Sequence, residues 1–251
     1  VQVAKLNDET ISAGSITFCG QNYGKGEASI VFRNLQVNSL PEDVENAYSA
    51  GGGIPPEQQL LLARSFFETG QFLPAAVQMK SYMEKTGREK KDRELYPFYG
   101  EILVNLGMFE EALIQFEKAI GTDPREKNFF LEKGNILYRL GRCSLLRQFL
   151  DENRQLLGDE PLFWNLYGHA LYYLGKKDDS AVYYSKAFEL APENPVFAAN
   201  AARSHEEAGR AAEAAEMHAK SSLLFFRQEN YDEARLEADT AVKLLKQEVL
   251  S

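Results

Sequence analysis

The chain is poor in the residues from which reactive sites are usually built. Its 251 residues include two cysteines, Cys19 and Cys143, and three histidines, His169, His205 and His218. Two cysteines so far apart do not make a disulfide framework. The histidines lack the short spacings of a zinc-binding helix and no cysteine pair joins them, so neither a metal nor another cofactor is expected. Positive charge is also scarce. Lysine and arginine total 28 against 37 aspartates and glutamates, a formal net charge of −9. That balance argues against nucleic acid as the main partner, because phosphate binding needs a basic face. No apolar run approaches the length of a membrane span, so no direct insertion into a membrane is expected, and no signal peptide is evident. Val1 stands where an initiator methionine is usual, which reads as a fragment or a processed chain. None of this assigns a compartment.

Two segments invite a functional reading and do not sustain it. Residues 20–29 place Gly24-Lys25 after a glycine, as a phosphate loop does. The spacing is one residue short, Gly26 replaces the hydroxyl residue that would hold magnesium, and a strand-like run follows where a helix must open. The densest basic stretch, residues 85–93, also contains Glu89 and Asp92 and reads as a solvated connection. No catalytic motif remains, and an enzyme is not expected.

What the chain does have is a period. Gly70, Gly107, Gly141, Gly175 and Gly209 recur at intervals of 37, 34, 34 and 34 residues. In residues 161–192 the order is Trp164, Tyr167, Gly168, Leu171, Gly175, Ser180, Tyr184, Ala187 and Pro192. Residues 93–124 repeat it with Tyr96, Tyr99, Gly100, Leu103, Gly107, Phe109, Ala112, Phe116, Ala119 and Pro124. Units beginning at Pro56 and Pro195 follow the same order. The unit beginning at Lys127 departs from it in its second helix, residues 142–157, where Leu146 and Asn153 replace small residues. Small residues at the eighth and twentieth places let two antiparallel helices approach closely, and large ones between them fill the contact. The glycine ends the first helix in a left-handed turn.

This pattern resembles the tetratricopeptide repeat (TPR). The resemblance covers five units from Pro56 to about Arg227 and implies a mainly α chain: a right-handed α-solenoid of about five helix pairs over residues 51–251. The helix over residues 211–227 also fits the first half of a further unit in a frame only 20 residues on. The last helix, residues 231–248, would cap the stack, with Lys243 and Lys246 suiting its C-terminal end. Asp232, Glu233, Arg235, Glu237 and Asp239 predict a polar, solvent-facing end.

In such arrays the first helix of each unit lines the concave face, through its second, fifth, ninth and twelfth places. Mapped onto this chain, these are Arg64 and Phe67; Glu101; Asn128, Asn135 and Tyr138; Asn165, His169 and Tyr172; Arg203 and Glu206. Asparagine offers a peptide backbone both donor and acceptor, tyrosine offers flat contact area, and His169 and Arg203 suit a carboxylate. His205 and His218 are expected to be packed. One TPR subclass clamps the acidic tails of heat-shock chaperones; here Asn135 matches the clamp asparagine, but Leu131 and Leu166 stand where its lysine and second asparagine belong, so chaperone binding is not assigned.

Residues 1–50 have no helical period. Ser15–Phe18 and Ala28–Phe32 are strand-like and flank a glycine-rich turn, predicting a short β-hairpin and linker before the array. Gly14-x-Ile16-x-Phe18, Gly24-x-Gly26 and Asn34-Leu35 resemble the closing strands of cohesin-like β-sandwich domains, so the hairpin either docks on the array or ends a larger β-domain. The expected function is a non-enzymatic scaffold that binds a protein or peptide along the concave face. Two other readings stay open: a structural subunit of an oligomeric assembly, and an accessory module of a longer enzyme.

Overall fold

The structure is a computed structural model that describes residues 55–87 and 94–250. The predicted hairpin, the linker and most of the basic stretch lie outside the described residues. Twelve helices and no strand occur among those described. In chain order they are α1 (Pro56–Glu68), α2 (Phe72–Thr86), α3 (Leu95–Asn105), α4 (Phe109–Thr122), α5 (Lys127–Arg139), α6 (Cys143–Glu152), α7 (Arg154–Leu157), α8 (Pro161–Tyr173), α9 (Lys177–Leu190), α10 (Pro195–Glu207), α11 (Ala211–Arg227) and α12 (Tyr231–Leu250). Consecutive helices pack on one another except at the short α7, past which α6 packs on α8, giving five pairs and a further helix among the described residues.

Local chemistry sets the boundaries. Pro56, Pro161 and Pro195 open α1, α8 and α10, where a missing N–H leaves nothing unpaired. The Asn194 side chain accepts from the Val196 and Phe197 amides at 3.0 and 3.4 Å. Carboxylates occupy the first turns of α4, α9 and α12, where the helix dipole favours them. The five periodic glycines all have φ between 70° and 78°. At Gly141 the amide donates to the Tyr138 carbonyl and the following Arg142 amide to that of Leu137, closing the helix in a Schellman motif. A sixth turn has the same bonds, Glu229 to Phe226 and Asn230 to Phe225, but no glycine: Glu229 itself adopts φ 62°.

Between paired helices, small residues make room for large ones. A Cβ added to Gly100 would lie 2.6 Å from the Phe116 ring, and one on Gly168 would lie 2.7 Å from Tyr184. The aberrant third unit uses its small residue differently. Leu146 is fully buried, and a Cβ added to Gly134 would stand in ordinary contact with it at 3.6 Å but press on Leu166 of α8 at 3.1 Å. The second helix of that unit is not continuous, contrary to expectation. The Asn153 side chain donates to the Phe149 carbonyl at 2.7 Å, a local bond that competes with the helix ladder and separates α6 from α7. The short α7 turns Leu157 into the core, where it is fully buried.

The end of the array also differs from expectation. Glu237 is buried rather than solvent-facing, because its carboxylate meets His218 Nδ1 at 2.7 Å across the α11–α12 contact. His205 and His218 are packed, as the sequence indicates. Leu223, Phe226, Tyr231, Val242 and Leu245 are each about half exposed on α11 and α12, so the end carries apolar surface beside its charges.

Candidate functional site: the face of the first helices

Helices α1, α3, α5, α8 and α10 present the stripe named from the sequence, and the structure sorts its residues into two regions. The first is a recess of about 660 Å³ between α3 and α5. Glu101 and Asn128 line it, with Pro97, Phe98, Phe129 and Leu162 as apolar wall. Glu94, Asp123, Glu126 and Glu132 add carboxylates, and no lysine, arginine or histidine is among the described residues that line it. Burial, and then repulsion from Glu132, hold the Glu101 carboxyl above its ordinary value. Arg64 lies beside this region, 4.0 Å from Glu94 and over the Phe98 ring at 5.1 Å. Phe67 is edge-on to Phe72 and Phe98 and packs against the core, so it acts as wall rather than as an open contact.

The second region is aromatic and spans α5, α8 and α10. The Tyr138 and His169 rings stack with centroids 4.2 Å apart, and Tyr173 leans on Tyr138 at 5.9 Å. His169 Nδ1 is 2.7 Å from the Tyr184 hydroxyl. Burial, with Arg203 adding to it, pushes His169 down to about 3. Its imidazole is therefore neutral near pH 7, and its Nδ1 is already engaged by Tyr184. Tyr172 donates to Glu207, which is also paired with Lys177. Burial, together with that bond, pushes the Tyr172 phenol up to about 12. Burial alone would raise the Glu207 carboxyl, but the bonds from Lys177 and Tyr172 outweigh it and hold the group below its ordinary value. Arg203 is partly exposed and makes no ion pair within 4.0 Å among the described residues.

Two more expected contacts are not open. Asn165 is only 5% exposed and accepts from Asn200 Nδ2 at 2.9 Å, tying α8 to α10. Glu206 turns toward His218, 3.6 Å away. Asn135 is partly exposed and makes no side-chain hydrogen bond among the described residues. Sequence reasoning missed Tyr173, Lys177, Glu207 and Glu132. Tyr173 and Glu207 each stand one place beyond the twelfth position, and Glu132 one beyond the fifth, so a stripe one residue wider would have found three of the four. Among the described residues no cluster of His, Cys, Asp and Glu is arranged to hold a metal, and no helix is long and apolar enough to cross a membrane.

The tetratricopeptide-repeat family model matches residues 94–126 and 161–194, the second and fourth helix pairs. A TPR repeat-containing protein of Treponema pallidum is 28% identical over 234 residues, covering 91% of this chain and 29% of its own length. The chain therefore spans under a third of that relative. Among solved structures, MamA (residues 41 to the end) from Desulfovibrio magneticus superposes with a TM-score of 0.60 at 20% identity, over 69% of this chain and 96% of MamA. YrrB, described as a TPR protein with an unusual peptide-binding site, gives 0.52 at 19% identity over 77% of this chain and 96% of YrrB. TTC0263 of Thermus thermophilus gives 0.55 at 16% identity over 75% of this chain and 99% of its own. Together the period, the helix pairs, the two matched repeats and these likenesses make the chain a tetratricopeptide-repeat protein with an α-solenoid fold.

Proposed function

We propose that the protein is a non-enzymatic scaffold that binds a peptide segment of a partner protein along the face of its first helices. The observation that carries this reading is the aromatic region. Tyr138, Tyr172 and Tyr173 offer rigid contact area, and Arg203 beside them has no ion-pair partner within 4.0 Å among the described residues. Aromatic and arginine side chains so placed favour binding, since little rotamer freedom is lost on contact. Arg203 suits a carboxylate or a backbone carbonyl of the bound chain. The description of YrrB as peptide-binding supports the same use of a similar fold.

Selection from random phage-displayed dodecapeptides tests the reading. Peptides enriched on the wild type should bind Tyr138→Ala/Tyr172→Ala at least tenfold more weakly, while the variant keeps its helical circular dichroism. Lys177 still holds Glu207 when Tyr172 is removed, so the fold should persist. Enriched peptides that bind both proteins equally would place recognition elsewhere.

The half-exposed Phe226, Tyr231, Val242 and Leu245 favour a second reading, assembly through the array end. Sedimentation velocity separates the two. Assembly predicts a dimer or larger species that Val242→Asp/Leu245→Asp dissociates; a monomer at all concentrations would exclude self-association.

A further inference from the structure

Resting on the groove reading, we infer that the recess between α3 and α5 receives a lysine or arginine of the bound segment, with apolar residues on either side of that cation. The shape and the charge both point to it. Pro97, Phe98, Phe129 and Leu162 form a wall against which an aliphatic stem and its apolar neighbours can lie. Long basic side chains bury their methylenes in such surroundings while the charged head reaches polar groups. Five carboxylates surround the recess, and their local partners are unequal. Glu94 faces Arg64 at 4.0 Å, Asp123 accepts the Arg125 backbone amide at 3.1 Å, and Glu126 accepts that of Asn128 at 3.3 Å. The side-chain carboxylates of Glu101 and Glu132 make no hydrogen bond or ion pair among the described residues, and they repel each other. A cation between them relieves that repulsion, whereas an acidic segment adds to it. Like charges opposed in this way reject partners as effectively as opposite charges attract them. The selectivity is therefore opposite in sign to that of an array that clamps acidic tails.

The test uses the full chain and a fluorescein-labelled decapeptide of alternating lysine and leucine, with an alternating glutamate–leucine peptide beside it. Anisotropy should report binding of the first and not of the second. Glu101→Gln/Glu132→Gln should weaken the lysine peptide at least tenfold. Asp232→Asn/Glu233→Gln, which removes the same formal charge from exposed positions on α12, should change it less than twofold. Equal losses in both variants would mean that diffuse surface charge attracts the peptide, and no loss in either would place it outside the recess; both outcomes overturn the inference. Zero-length carbodiimide coupling followed by mass spectrometry should join Glu101 or Glu132 to a peptide lysine. Coupling to a lysine of this chain, or of a second copy, would overturn it as well. Phage-selected peptides that depend on Tyr138 and Tyr172, lack basic residues and ignore the glutamine variant would leave the groove reading standing and remove this one alone.

Discussion

Trp164→Ala should destabilise the array by about 3–5 kcal/mol, the usual cost of removing a buried tryptophan. Trp164 is 2% exposed and joins three elements. Its Nε1 donates to the Gly158 carbonyl at 2.8 Å, just after α7. Its ring lies edge-on to Phe163 at 4.8 Å and stacks on Tyr183 of α9 at 5.6 Å. Lys186 sits 3.5 Å from its centroid, and the Arg154 guanidinium covers it at 5.1 Å. Alanine would leave a cavity in the core that also holds Leu157, and an unpaired carbonyl in the connection between α7 and α8. Trp164→Phe should recover most of the packing and lose only the hydrogen bond, about 1 kcal/mol. Urea unfolding followed by circular dichroism measures both. Equal midpoints for wild type and the alanine variant would show that the broken helix and α8 do not share a core.

Gly168→Leu should cost about 3 kcal/mol, at the upper end of what overpacking usually does. The added Cβ alone would meet three Tyr184 ring atoms at 2.7, 2.8 and 2.9 Å. A tyrosine ring can often swing away, but this one is only 3% exposed and its hydroxyl is bound to His169. Moving it breaks that bond and disturbs the Tyr138–His169 stack. The substitution therefore has a second readout, since peptide affinity should fall together with the urea midpoint. Gly168→Ala should show both effects at smaller size. An unchanged midpoint for the leucine variant would contradict the helix register described above.

The fold was legible because its determinants are local and repeated. A glycine turn, a small residue facing a large one and a proline at a helix start recur in several units, and each copy confirms the others. The third unit was partly illegible because its close approach is made to the next unit: a Cβ on Gly134 would press on Leu166 of α8 rather than on a residue of its own helix pair. The break at Asn153 depends on one side-chain bond that competes with the ladder, which periodicity does not register. The site was legible as a stripe but not as chemistry. Position on a helix placed Asn165 and Asn135 alike, yet Asn200 on a neighbouring unit occupies only the first. The neutrality of His169 likewise comes from residues of three helices. Sequence position alone makes Glu237 solvent-facing, because the partner that draws it inward, His218, belongs to the preceding helix.

The sixth turn carries a consequence for the order in which the molecule opens. The five periodic turns place glycine in the left-handed region at no steric cost, whereas Glu229 bears about 1–2 kcal/mol for the same geometry. That cost falls on the connection to α12, a helix that rests chiefly on α11 and is held there by the buried Glu237–His218 pair. Among the described residues α12 packs on one helix and α8 on several, so the local free energy of opening α12 is already the lower of the two. Strain at the hinge lowers it further. The amide protons of α12 should therefore exchange with solvent as one cooperative group well before those of α8, exposing the apolar side of α11 while the helices of the aromatic region stay closed.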